Sequence, residues 1–138
     1  MEGTALVRKW VDAVNRADVE AFGRVYAADA VLYVPVAPDG VKGRQAIVGY
    51  EGRLFDALSD VSLKASPVLT GGDSIAVEWE YRGKHTGNLV LPTQTVAATN
   101  RQLHLKGASF LRMSSQGEIA EEHRYYNPTE LFTQLGIA

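Results

Sequence analysis

The chain has 138 residues, of which 46% are hydrophobic, and its 14 basic and 16 acidic side chains leave a net charge of −2. That length suits a single domain over residues 1–138 whose core needs no covalent staple. The near-neutral charge gives no footing for nucleic acid or an anionic membrane as partner, and the absence of cysteine excludes disulfides, thiolate metal sites and cysteine nucleophiles.

The opening MEGTALVRKW lacks a basic segment followed by an apolar stretch, and no apolar run approaches the ~18 residues of a membrane span. A cytoplasmic protein is therefore expected. Thr4 is placed to cap a helix running to about Arg16, with Leu6, Val7, Trp10, Val11 and Val14 as its apolar stripe. Asn15–Asp18 reads as a turn, and Asp18 as the cap of a short second helix whose stripe is Val19, Phe22, Val25 and Tyr26. Ala30–Val36 reads as a strand that runs into a loop at Pro35, Pro38 and Gly40. Helical spacing returns over Gly43–Leu58 through Ile47, Tyr50, Leu54, Phe55 and Leu58.

After Asp60 the character changes. Val61–Leu69 and Ile75–His85 read as strands joined at Gly71-Gly72-Asp73. Ile75, Val77, Trp79 and Tyr81 share one face of the second strand, and Glu78, Glu80 and Arg82 the other. Gly87–Asn100 is expected as a long loop, Arg101–Met113 and Glu118–Tyr126 as the last strands, and Pro128–Leu135 as a short helix capped by Asn127 and ended by Gly136. Helices followed by a run of strands argue α+β, with the helices on one face of a sheet. A strongly curved sheet beneath only three helices can leave its concave centre unfilled, as an apolar pocket with few polar groups.

No short motif announces the chemistry. His85, His104 and His123 fit no metal spacing, no GxGxxG or GxxxxGK[ST] cradles a phosphate, and no GxSxG marks a serine hydrolase. Neither a metal nor a cofactor is expected. On the last strand, alternation groups Glu121, His123, Tyr125 and Asn127 on one face and Glu122, Arg124 and Tyr126 on the other. A carboxylate beside an imidazole could move protons near neutral pH, and the same residues could equally form a solvated face with cross-strand ion pairs. His85 stands where a strand gives way to a glycine-flanked loop, a good position for a site and also an ordinary surface turn. The aromatic residues Trp10, Tyr33, Tyr50, Trp79 and Tyr125 are candidate pocket lining, although a packed core would use most of them.

Larger pieces carry a family signal. Trp10–Tyr50 (WVDAVNRADVEAFGRVYAADAVLYVPVAPDGVKGRQAIVGY) resembles the opening of the nuclear-transport-factor-2-like superfamily, a cone-shaped α+β fold. Trp79 followed by GKHTG, the loop with Pro92-Thr93, and GEIAEEHRYYNPTELFTQLG resemble a SnoaL-like polyketide cyclase. The resemblance implies a cone-shaped, curved antiparallel or mixed sheet enclosing a pocket. It also implies a homodimer formed through the outer sheet face, where Glu78, Glu80, Arg82, Arg112 and Arg124 could lie. Its activity would be a cofactor-free ring closure on an apolar, polyketide-like carbonyl compound. Carried across, the family's histidine falls on His85 and its last-strand aspartate on Asn127. An asparagine amide cannot act as the base. A base would then come from His123 or Glu121, with Asn127 as a polar anchor, or the pocket binds an apolar ligand without catalysing. Ketosteroid isomerase shares the fold, but its oxyanion-hole tyrosine falls on Trp10 and its general-base aspartate on Val34, so that activity is not implied. The Asp–Arg–Asp set of a limonene-epoxide-hydrolase-like site is not assignable from the sequence.

Overall fold

The computed structural model describes residues 2–137, apart from the side chains of Glu2 and Pro67. Helix α1 (Glu2–Asn15) buries Leu6, Val7, Trp10, Ala13 and Val14 along one stripe. It begins before Thr4, so Thr4 is not its cap. Tertiary packing accounts for the earlier start: Gly3 lies so close to Thr70 and Ile75 that a Cβ there would meet Thr70 Cγ2 at 2.8 Å. Asp18 caps α2 (Val19–Arg24), its side chain accepting from the Ala21 N–H at 3.0 Å.

The second helix stops at Arg24, and Tyr26 opens strand β1 (Tyr26–Val34) instead of completing the helical stripe. The expected loop after it is an edge strand, β2 (Ala37–Lys42), folded back on β1. Pro38 is tolerated there because an edge strand needs no donor on its open side. Gly43, at φ 91, leads into α3 (Arg44–Ala57). Strand β3 (Leu58–Gly71) is longer than its apolar run and carries irregular register between Ser59 and Ser62. Gly72, at φ 62, turns it into β4 (Ser74–His85). Within 87–100 lies a small hairpin of β5 (Leu89–Val90) and β6 (Thr95–Val96). Strands β7 (Gln102–Met113) and β8 (Ile119–Tyr126) follow, then α4 (Pro128–Gln134), whose cap Asn127 accepts from the Thr129 N–H.

The large sheet runs β2-β1-β8-β7-β4-β3. Only β1 against β8 is parallel among its pairings, so the curved, unclosed sheet is mixed. The α+β class and the mixed, curved sheet agree with the sequence reading. Helices α1 to α3 close the inner face, where Ile75, Val77, Trp79, Leu103, Leu105 and Leu111 are buried.

One local feature decides the site. Arg112 pairs with Glu121 while the next residue, Met113, pairs with Ile119, so Ala120 is an extra residue in β8. A bulge of one residue exchanges the faces of everything beyond it. Ile119 is buried, and beyond the bulge it is Glu122 and Arg124 that are buried too. Glu121, His123 and Tyr125 turn to the outer face.

Candidate functional site

A cavity of about 80 Å³ lies between the helices and the inner face of the sheet. Helix α1 supplies Trp10 and Val14, and α3 supplies Tyr50, Glu51 and Leu54. The sheet contributes Leu63, Trp79, Tyr81, Leu103, Leu105, Arg124 and Tyr126. Leu89 and Leu91 descend from the 87–100 segment, and Leu131 and Leu135 of α4 complete the wall. Gly107 permits one part of it: a Cβ there would stand 2.4 Å from the Trp79 indole and from the Tyr125 carbonyl. The missing side chain lets the indole lie across β7.

Beneath the apolar wall runs a buried ionic network. The Arg124 guanidinium donates from Nη1 to Glu51 Oε1 at 3.1 Å and from Nε to Glu122 Oε2 at 3.0 Å. Glu122 also accepts from Tyr26 Oη at 2.5 Å and from Ser109 Oγ at 2.9 Å, and Trp79 Nε1 donates to Ser109 Oγ at 3.1 Å. Glu122 thus has donors from Arg124, Tyr26 and Ser109 and is set behind the wall. Glu51 is different. It is 3% exposed, it faces the cavity, and among the described residues Arg124 is its one side-chain partner. Burial raises its pKa above the ordinary carboxylate value; Arg124 opposes this and Glu122 adds to it. Desolvation also disfavours the Arg124 charge, but Glu122 and Glu51 outweigh it and keep the guanidinium charged. Burial raises the pKa of Tyr50, Tyr81 and Tyr126, so all three phenols stay protonated.

This arrangement rearranges the expected site. Trp10, Tyr50 and Trp79 do line the cavity; Tyr33 and Tyr125 do not. Tyr33 stacks on His123 with ring centroids 4.7 Å apart, and Tyr125 is 54% exposed, both on the outer face. His123 and Glu121 lie 3.7 Å apart on that face, and neither is in the wall. Asn127 is exposed and committed to capping α4. The bulge at Ala120 and the cap account for these corrections. Arg124, expected on the outer face, is inside.

His85 is fully buried at the end of β4, outside the cavity wall. Its Nδ1 accepts from the Thr99 N–H at 3.2 Å and lies 2.9 Å from Thr99 Oγ1. The backbone of the same residue receives Asn100 N–H and donates to Arg101 O. His85 therefore ties down the base of the segment that carries Leu89 and Leu91.

Glu51 and Arg124 escaped sequence reading because both are charges on elements with mixed patterns. Of the carboxylate–guanidinium–carboxylate set Glu51, Arg124 and Glu122, only Glu51 and Arg124 reach the cavity. Among the described residues, no group of three His, Asp or Glu side chains is placed to hold a metal ion.

The chain matches the SnoaL-like domain model over residues 7–122. It is 37% identical over 70 residues to a steroid Δ-isomerase of Nocardioides simplex, a match that spans 51% of this chain and 57% of that relative. A protein of Jannaschia sp. CCS1 described as a SnoaL-like polyketide cyclase superposes with a TM-score of 0.85 at 13% identity, over 99% of this chain and 93% of the other. A protein of Catenulispora acidiphila with the ketosteroid-isomerase-like fold gives 0.77 at 22% identity, over 96% and 93%. At these identities the two structures establish the fold alone. The buried pocket beneath a bulged last strand thus sits in a chain that belongs to the SnoaL-like domain family, on the ketosteroid-isomerase-like fold.

Proposed function

We propose that the chain is a cofactor-free cyclase or isomerase that moves a proton within an apolar carbonyl compound bound in the cavity, with Glu51 as its acid/base. Family membership and the steroid Δ-isomerase relative support cyclase or isomerase chemistry in general. The observation that carries the specific reading is a single buried carboxylate facing an apolar wall, held at 3.1 Å by a guanidinium and with its pKa raised. A base of that kind is tuned towards neutral pH, where proton transfer to and from carbon is most effective.

The step balances simply. The Glu51 carboxylate takes a proton from the carbon next to the carbonyl, and the C–H electron pair moves to the carbonyl oxygen as an enolate. A tyrosine hydroxyl of the wall, Tyr50 or Tyr126, supports that oxygen. The enolate carbon then attacks a second carbonyl to close a ring, and the alkoxide formed there takes the proton back from Glu51; in an isomerisation, Glu51 instead returns the proton at a different carbon. The dry wall keeps water from quenching the enolate. Trp10 and Val34 supply neither the phenol nor the carboxylate of ketosteroid isomerase, so the acid/base role rests on a different element, α3.

Turnover of an enolisable ketone or β-ketoester tests this. Glu51→Gln is expected to lower kcat by about 10²-fold or more, with the limb of the pH–rate profile lost. Replacement of His123, Glu121 or Asn127 is expected to leave the rate within a few-fold. A Glu51→Gln form as fast as the wild type would sink the proposal. Retention of ligand with no turnover by any form would leave a binding protein on the same fold.

The outer face supports a further reading, that a second copy of the chain covers it. Leu69, Ala76, Phe110, His123 and Tyr33 form a continuous cross-strand row. Leu69 is 65% and Phe110 53% exposed, with Tyr125 edge-on to Phe110. Glu78, Glu80, Arg82 and Arg112 surround the row with both signs of charge, which suits a homodimer with a polar rim.

A further inference from the structure

Two polar atoms of the cavity wall have no partner. Trp10 Nε1 and Tyr81 Oη are buried and unpaired, each belonging to a residue that lines the cavity. The remaining buried atom of this kind among the described residues is His85 Nε2, which lies outside the wall. Trp79 Nε1 and the Arg124 guanidinium, by contrast, are engaged, the first with Ser109 and the second with Glu51 and Glu122. An indole N–H can only donate, and the Tyr81 phenol keeps its proton. A buried donor left unpaired has lost its bond to water and gained none, so an apolar replacement of the same shape would stabilise the empty protein. Residues that weaken the fold in this way are better explained by what enters the cavity than by what holds the fold.

We propose that Trp10 and Tyr81 are specificity-determining residues, whose N–H and O–H select neutral, largely apolar ligands carrying oxygen acceptors over hydrocarbons of the same shape. Neutrality follows from the charges in reach. Arg124 is the one cation of the wall, its hydrogen bonds go to Glu51 and Glu122, and those carboxylates outnumber it. An anionic ligand would find no free positive group. The donors also differ in origin, one on α1 and one on β4, so they address oxygen atoms from the helical and the sheet sides of the cavity. A site built to hydrogen-bond an oxygen discriminates strongly against the analogue lacking it, because its own donors are then left unpaired.

The inference rests on the cavity being the ligand site and is independent of whether Glu51 catalyses. Calorimetric titration with 1-tetralone and with tetralin, which differ in one carbonyl, tests it alongside thermal unfolding of the unliganded protein. The wild type is expected to bind the ketone roughly tenfold or more tighter than the hydrocarbon. Trp10→Phe and Tyr81→Phe are expected to narrow that preference, and the double variant to abolish it while still binding tetralin. The unliganded Tyr81→Phe protein, in which the shape is kept, should unfold no earlier than the wild type. Equal binding of the two probes by the wild type, or a preference intact in the double variant, would overturn the assignment. Binding of neither probe would overturn the cavity as a ligand site and this inference with it. Binding of both probes without turnover would leave the inference standing and count against the catalytic role of Glu51 alone.

Discussion

At the scale of single side chains, Glu51 and Arg124 are expected to respond differently to replacement. Removing the Arg124 charge strands Glu122 and Glu51 in a dry interior, so Arg124→Met is expected to cost about 3–5 kcal/mol of stability, read from denaturant titration. Glu51→Gln keeps a hydrogen-bonding group next to Arg124 and should fold. Its effect on stability has a sign set by titration. The folded-state pKa of Glu51 lies above its ordinary value of 4.5. The neutral acid is therefore favoured by folding, and the stability it contributes is complete below the unfolded pKa. That contribution is lost as pH rises through the folded pKa. Glu51→Gln cannot lose it, so the variant should gain on the wild type as pH rises above 4.5. Urea midpoints of both proteins across that window check the sign, and parallel curves would contradict it. Asn127 belongs to the same scale. Asn127→Ala should lower stability by about 1 kcal/mol through the lost cap, while Asn127→Asp keeps the cap and should bring no new turnover.

Among the elements, β7 and β8 shape the pocket through one absence and one insertion. The absence is the side chain of Gly107, where the Trp79 indole crosses the strand. Gly107→Ala would place a Cβ against both that ring and the Tyr125 backbone carbonyl, and the carbonyl cannot swing aside as a flexible side chain would. The expected result is a loss of about 1–3 kcal/mol with displacement of Trp79, visible as altered near-ultraviolet circular dichroism. The insertion is Ala120. Strict alternation from Ile119 through the present sequence would have turned Glu121 and His123 inward; the extra residue turns Glu122 and Arg124 inward instead. At β4, His85 exchanges hydrogen bonds with Thr99, Asn100 and Arg101, and so holds the segment whose Leu89 and Leu91 roof the cavity.

For the whole molecule, the sheet divides two jobs between its faces. The inner face and three helices enclose the cavity; the outer face carries the aromatic row around Phe110. If a second copy covers that row, sedimentation at micromolar concentration should report a dimer, and Phe110→Glu should shift it to monomer by burying a charge against its own symmetry mate. A monomeric wild type would refute the dimer and leave the cavity proposal untouched, because no outer-face residue lines the cavity.

Much of this architecture was legible in the residues alone. The apolar stripe of α1, the Asp18 and Asn127 caps, the turn at Gly72 and the alternation of β4 are local signals, each readable within a few residues of chain. They yielded the α+β class. What only the tertiary structure decided was which face of β8 turns inward. Alternation groups Glu121 with His123 and Glu122 with Arg124, but it cannot say which pair is buried, and charge alone favoured leaving both outside. The one-residue bulge at Ala120 is fixed by pairing with Met113 and Arg112 on another strand, and a buried carboxylate is tolerable only because Arg124, Tyr26 and Ser109 converge on it from distant parts of the chain. Those are long-range facts, and the buried Glu51–Arg124–Glu122 network depends on them.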